Sequence, residues 1–142
     1  MEPLIALVVG FVVARLVGVA GVDALDNWQA ALRVGLALMF LLTAFAHVHP
    51  KLRADLVGMV PPSLPRPDLL VAITGVLELA GAIGLLIPAT AAAAAWCLIA
   101  LMVAMFPANV SAAKRNVAQG DPIGPRTLLQ AVFIAAAALT LV

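Results

Sequence analysis

Charge is what this chain has least of: of its 142 residues 11% are charged, 65% are apolar, and the mean hydropathy is +1.16. A soluble domain carries about 45–50% apolar and about 25% charged residues. So few charges leave too little polar surface to cover a sphere of this volume. A soluble monomer, a disordered chain and a collagen-like repeat are thereby excluded. Aromatic residues are scarce at 5%, the net charge is +1 and there is no basic run, so nucleic acid is not an expected partner. A single cysteine, Cys97, allows neither an internal disulfide nor a cysteine-rich metal site. Set among Ala and Leu, it reads as inert core packing. No Ser-His-Asp set, P-loop or dinucleotide fingerprint is present, which makes an autonomous enzyme the least expected class. The solvent this composition calls for is lipid.

What is present is a series of long apolar runs. A helix crossing about 30 Å of hydrocarbon needs roughly 20 mostly apolar residues. Five windows qualify, at 3–21, 28–48, 69–87, 91–113 and 126–142, punctuated by Pro, Gly and charges. They predict an all-α integral membrane helical bundle with five spans, forming one membrane domain over 1–142. The first window starts Met-Glu-Pro without a basic leader, and Arg15 interrupts its apolar run, so it reads as a retained helix rather than a cleaved signal. Lys51, Arg53 and Arg66 fall in one loop and Lys114, Arg115 and Arg126 in another, while the alternate loops hold no Lys or Arg. Basic loops face the cytoplasm, which places the N-terminus inside and the C-terminus outside. Residues 50–60 read as a short basic amphipathic segment along the inner headgroups. The prolines at 61, 62, 65 and 67 then enforce a stiff return to the membrane.

Helices in lipid associate through small residues and polar contacts. Gly10, Ala14 and Gly18 form one such stripe; Ala80 and Gly84, Ala100 to Ala112 at four-residue spacing, and Ala131 and Ala135 form others. An ionisable group at the bilayer centre costs at least about 2.5–3.5 kcal/mol on insertion scales, so it normally faces the bundle and finds a partner. Glu78 lies mid-span, where it must be protonated or paired with a cation, and Arg15 is the partner best placed by depth. A structural Arg15–Glu78 ion pair and a ligand site are both open readings of those two residues. Arg33 reads as snorkelling to the outer headgroups. His47, Thr74, Asn109 and Gln130 all fall in the cytoplasmic half of their spans, with Thr43 beside them. Together with Glu78 as a floor, they are the candidate ligand-binding set. Thr43 and Thr74 also have a plainer reading, as hydroxyls bonded to their own helix. His47 and His49 form an H-x-H, but without further strong ligands no metal site is expected.

Several of these residues fall into a familiar pattern. His47 closes a helix, Met59 to Pro62 reads Met-Val-Pro-Pro, Thr74 to Leu85 reads T-G-x-x-E-x-x-G-A-x-G-L, and Phe106 to Asn109 reads F-P-A-N. Over positions 29–142 the chain resembles the DoxX-like family of small bacterial membrane proteins. The resemblance implies a four-helix core at 28–142 with an added N-terminal span at 3–21, in a bacterial cytoplasmic membrane. It also implies an accessory role in a membrane redox system, with Glu78, His47 and Asn109 forming any site. A quinone or another small polar-headed ligand would be the cofactor. The lipid bilayer, a redox protein and a second copy of the chain would be the partners. Two alternatives stand beside this: a small-solute or proton pathway through Glu78, and a scaffold that the Arg15–Glu78 pair merely locks.

Overall fold

Proline and asparagine set where helices begin. Pro3, Pro50 and Pro67 sit in first turns, where the missing N–H has no helical acceptor in any case. The Asn27 side chain accepts from the Ala30 N–H at 2.7 Å and so caps the helix that follows it. In the computed structural model, which describes residues 1–117 and 122–142, the helices are α1 (Glu2–Val19), α2 (Trp28–Val48), α3 (Pro50–Met59), α4 (Pro67–Leu86), α5 (Ala91–Arg115) and α6 (Ile123–Leu139). A 3-10 turn at Asp23–Leu25 joins the first two, and there is no strand among the described residues.

Four of these helices, α1, α2, α4 and α5, are long and apolar enough to cross a membrane. The expected five spans are therefore corrected to four. The fifth window, set at 126–142, is helical over only 17 residues. It ends early because the Thr140 hydroxyl donates back to the Ala137 carbonyl at 2.7 Å and the chain turns there. By contrast, α5 continues past its expected end to Arg115, where Asn116 closes it in the left-handed region at φ 51°. Of the basic loop expected at 114–126, Lys114 and Arg115 belong to the last turn of α5 and Arg126 to the first turn of α6, while residues 118–121 lie outside the described residues.

Helix α2 packs on α4, α4 on α5 and α5 on α6, and α6 returns to α2; α1 lies outside this ring, against α2. The α1–α2 crossing depends on two glycines. A Cβ on Gly35 would lie 2.5 Å from the Leu7 carbonyl oxygen, and one on Gly10 would lie 2.9 Å from the Gly35 Cα. Leu36, Met39, Phe40, Ala82, Leu85 and Leu98 fill the centre of the ring. The outward faces are apolar as well, with Val8, Leu16, Val76, Leu77 and Trp96 exposed. Cys97 is exposed on this outer face, so it is not core packing as expected.

Small-residue spacing marked the interface on α1, where Gly10, Ala14 and Gly18 are buried, and in part on α4, where a Cβ on Gly84 would lie 2.9 Å from the Ala94 Cβ of α5. On α4 the buried face runs through Gly75, Glu78, Ala82 and Leu85 rather than Ala80; on α6 it is Ala136 and Ala137 rather than Ala131 and Ala135. On α5 it is Ala94, Ala95, Leu98 and Met102, with only Ala112 of the expected stripe. Alanine is so common here that four-residue spacings recur on every side of a helix.

Arg33 has a partner within the protein: its Nη2 donates to the Thr140 carbonyl at 3.1 Å. This places a cation at the C-terminal end of α6, where unsatisfied carbonyls and the helix dipole favour it. At the other end of the bundle Arg53 ties the His47 carbonyl on α2 to the Asp68 carbonyl on α4, each at 3.0 Å. Arg115 donates to the carbonyls of Gly58, Met59 and Val60 at 2.9, 3.1 and 3.3 Å and so caps α3, a helix without a buried residue. Arg115→Ala should therefore loosen α3 locally, with amide exchange over 50–60 roughly tenfold faster and little change in global melting. Unchanged exchange would mean that α3 is held by its apolar face alone.

Candidate functional site

Pro107 interrupts α5 and removes the N–H that would bond the Val103 carbonyl. Next to that gap the Met102 carbonyl accepts from Gln130 Nε2 at 2.6 Å, and Gln130 Oε1 accepts from Asn109 Nδ2 at 3.0 Å. An amide from α6 thus reaches the α5 backbone beside the proline, and the two amides hold each other's orientation. Gln130→Leu should cost about 1–3 kcal/mol, because it removes the bond to the Met102 carbonyl and leaves the Asn109 amide without its partner. Adding Asn109→Leu should recover part of that loss. Thermal unfolding of the double-mutant cycle measures the coupling, and purely additive losses would show the two amides to be independent.

These amides line a half-open cavity of about 270 Å³ whose polar walls are Thr43, Glu78, Asn109, Gln130 and Arg126 and whose apolar walls include Met39, Phe40, Met102, Met105 and Phe133. Glu78 is 5% exposed, and its Oε2 has no hydrogen-bond partner among the described residues. The closest titratable neighbour is His47, whose Nδ1 is 3.6 Å from Oε2 and 2.8 Å from the Thr43 carbonyl. A carbonyl can only accept, so Nδ1 carries the hydrogen and donates it to Thr43. His47 packs face-on against Gly75, where a Cβ would lie 2.6 Å from the His47 Cβ. That glycine is what allows the ring to sit between α2 and α4.

A second cavity, also about 270 Å³, takes in His47, Thr74 and Asn109 with Leu101, Met105 and Pro107. Of the expected set, then, Glu78, Asn109 and Gln130 share one cavity and His47, Thr74 and Asn109 share the other. Asn109 borders both, and the His47–Glu78 contact links their walls. Thr74 donates to the Val71 carbonyl at 3.0 Å, the plainer role expected for it. His49 turns away from His47 and lies against Phe45, with ring centroids 5.6 Å apart.

The expected Arg15–Glu78 ion pair is not formed. Arg15 Nη1 lies 3.5 Å from Asp26 Oδ1 instead. Depth alone suggested the pair, but α1 packs on α2 and not on α4, so a whole helix stands between the two side chains. Thr43, placed beside the candidate set from the sequence, does line the cavity, whereas Arg126 was not singled out there. Arg126 precedes Gln130 by four positions on α6 and so shares its helix face, a spacing that could have shown it.

A family described as Domain of unknown function (DUF8561) matches residues 36–141. The chain belongs to this family. The DoxX-like assignment is thereby corrected: the motifs that suggested it are short, and the small residues among them serve helix packing in any membrane bundle. The DUF8561 match begins inside α2, so α1 lies outside it, whereas Glu78, Asn109 and Gln130 lie within it. No curated protein and no solved structure matches the chain.

Proposed function

We propose that the chain is an integral membrane bundle that holds a small ligand with a polar head and an apolar body in the Glu78–Asn109–Gln130 cavity. The observation carrying this reading is the Glu78 Oε2 atom, buried and without a hydrogen-bond partner among the described residues. A polar atom left in that state costs about 1–3 kcal/mol or more, and a ligand head entering the cavity supplies what is missing. Met and Phe walls suit the apolar body of such a ligand. A quinone headgroup belongs to this class, and a redox partner protein follows only for that ligand. Helices α1, α2, α4 and α5 cross the membrane, and the end bearing Lys51, Arg53, Arg66, Lys114, Arg115 and Arg126 faces the cytoplasm.

Native mass spectrometry of the protein, released from its own membranes in mild detergent, tests the ligand. A small retained mass that disappears in Glu78→Gln is the expected result, and a folded chain with no retained mass overturns it. A second reading, a proton or small-solute pathway, is favoured by the His47–Glu78 contact between two cavities at 3.6 Å. It requires flux into liposomes carrying the purified protein, which the ligand-holding reading does not.

A further inference from the structure

The class of head this cavity accepts can be argued from its hydrogen-bond inventory, an inference that rests on the ligand-binding reading above. We propose that the head is a hydrogen-bond-donating organic cation, a protonated amine carried on an apolar body, with Glu78 as its counter-ion.

The orientation of each polar group follows from the backbone carbonyls around it. Because the Met102 carbonyl only accepts, the Gln130 atom 2.6 Å away is the amide nitrogen. Gln130 Oε1 then takes a hydrogen from Asn109 Nδ2, which leaves Asn109 Oδ1 as an acceptor without a bond among the described residues. The Thr43 hydroxyl lies 3.1 Å from the Phe40 carbonyl and is also within hydrogen-bonding reach of the Glu78 carboxyl, so its one hydrogen is taken up inside the protein. His47 gives its Nδ1 hydrogen to Thr43, and at 3.6 Å it is too far from Glu78 Oε2 to bond it as well. Glu78 Oε2 and Asn109 Oδ1 are therefore two acceptors, on α4 and α5, around one cavity. Each of the two amides retains one N–H against its own oxygen, so the carboxyl is the group left unbalanced.

An anionic head would meet a Glu78 carboxylate with like charge, and a head that only accepts would leave Glu78 Oε2 without a donor. A protonated amine offers both the charge and the hydrogens. Phe40 and Phe133 add ring faces and the methionines add polarisable sulfur, surroundings that favour a cation over an anion. The positive groups facing the cavity are Arg126 and the Met1 end of α1, both in first turns at its outer end. Arg126 lies one helical turn outside Gln130, about 6 Å along the axis, and has an interaction of its own. Pro3 of α1 and Leu129 and Phe133 of α6 line the cavity and would meet the apolar body.

Three probes with one tail and different heads test this: octylammonium, octanol and octanoate, each titrated at neutral pH against the full chain in mild detergent. Octylammonium should bind about tenfold or more tighter than octanol, and octanoate should not bind. In Glu78→Gln the amine should fall to the level of the alcohol, with helicity by circular dichroism unchanged. If that variant does not fold, Glu78→Asp, which keeps the charge, should keep the preference. Octanol or octanoate matching the amine overturns the cation and leaves the ligand-binding reading in place. So does a Glu78→Gln chain that is folded and still prefers the amine. If none of the probes binds while a native small mass is retained, the cation falls alone; if no mass is retained either, both readings fall.

Discussion

Gly35→Leu should separate α1 from the rest of the bundle. The obstructing atoms are backbone, the Leu7 carbonyl oxygen at 2.5 Å and the Phe11 nitrogen at 3.0 Å, and backbone cannot rotate aside as a flexible side chain would. Overpacking of this kind costs about 1–3 kcal/mol. Without a hydrophobic drive between helices in lipid, close backbone approach is most of what holds α1 to α2. The apparent melting temperature in detergent should fall by several degrees. Ligand retention should weaken too, because Pro3 of α1 lines the cavity. Gly58→Leu is the matched control, since a Cβ there meets nothing within 4 Å. It exchanges glycine for a better helix former in α3 and should leave melting unchanged or slightly raised. Equal losses at the two positions would mean that Gly35 acts through something other than the helix crossing.

That contrast shows what kind of information the sequence carried. Apolar length and punctuation placed α1, α2, α4 and α5 within a few residues, because a run of about 20 apolar residues has few other uses. The α3 segment was legible as well, since Pro50 and the proline cluster after Val60 bracket it. Helix neighbours were not legible. Nothing in a sequence states that α1 sits against α2 alone, and for that reason Arg15 was paired by depth with Glu78 when Asp26 lies beside it. The same gap hid the His47–Glu78 contact, which exists because Gly75 lets a ring from α2 rest on the α4 backbone. Glu78, Asn109 and Gln130 stood out for being polar in apolar surroundings. Met39, Met102, Met105, Phe40 and Phe133 did not, since the walls of a cavity are chemically the same as the core beside it.

Glu78→Met should make the protein more stable and remove its ligand at once. The two side chains are of similar length and both unbranched, so the change exchanges a carboxyl for a thioether with little change in shape. An ionisable group at a helix centre costs about 2.5–3.5 kcal/mol on insertion scales, and Glu78 makes no hydrogen bond through Oε2 to offset it. Its contact with His47 is 3.6 Å, and the His47 hydrogen on that side is already given to Thr43. The apparent melting temperature should therefore rise by several degrees, while the small mass seen by native mass spectrometry disappears. A residue that weakens the fold it sits in, and whose removal is missed only by the ligand, is there for the ligand. The scaffold reading requires the opposite. If the His47–Glu78 contact holds α2 to α4, Glu78→Met strands His47 and melting falls. The sign of one melting shift thus separates a binding site from a structural clamp, before the ligand itself is known.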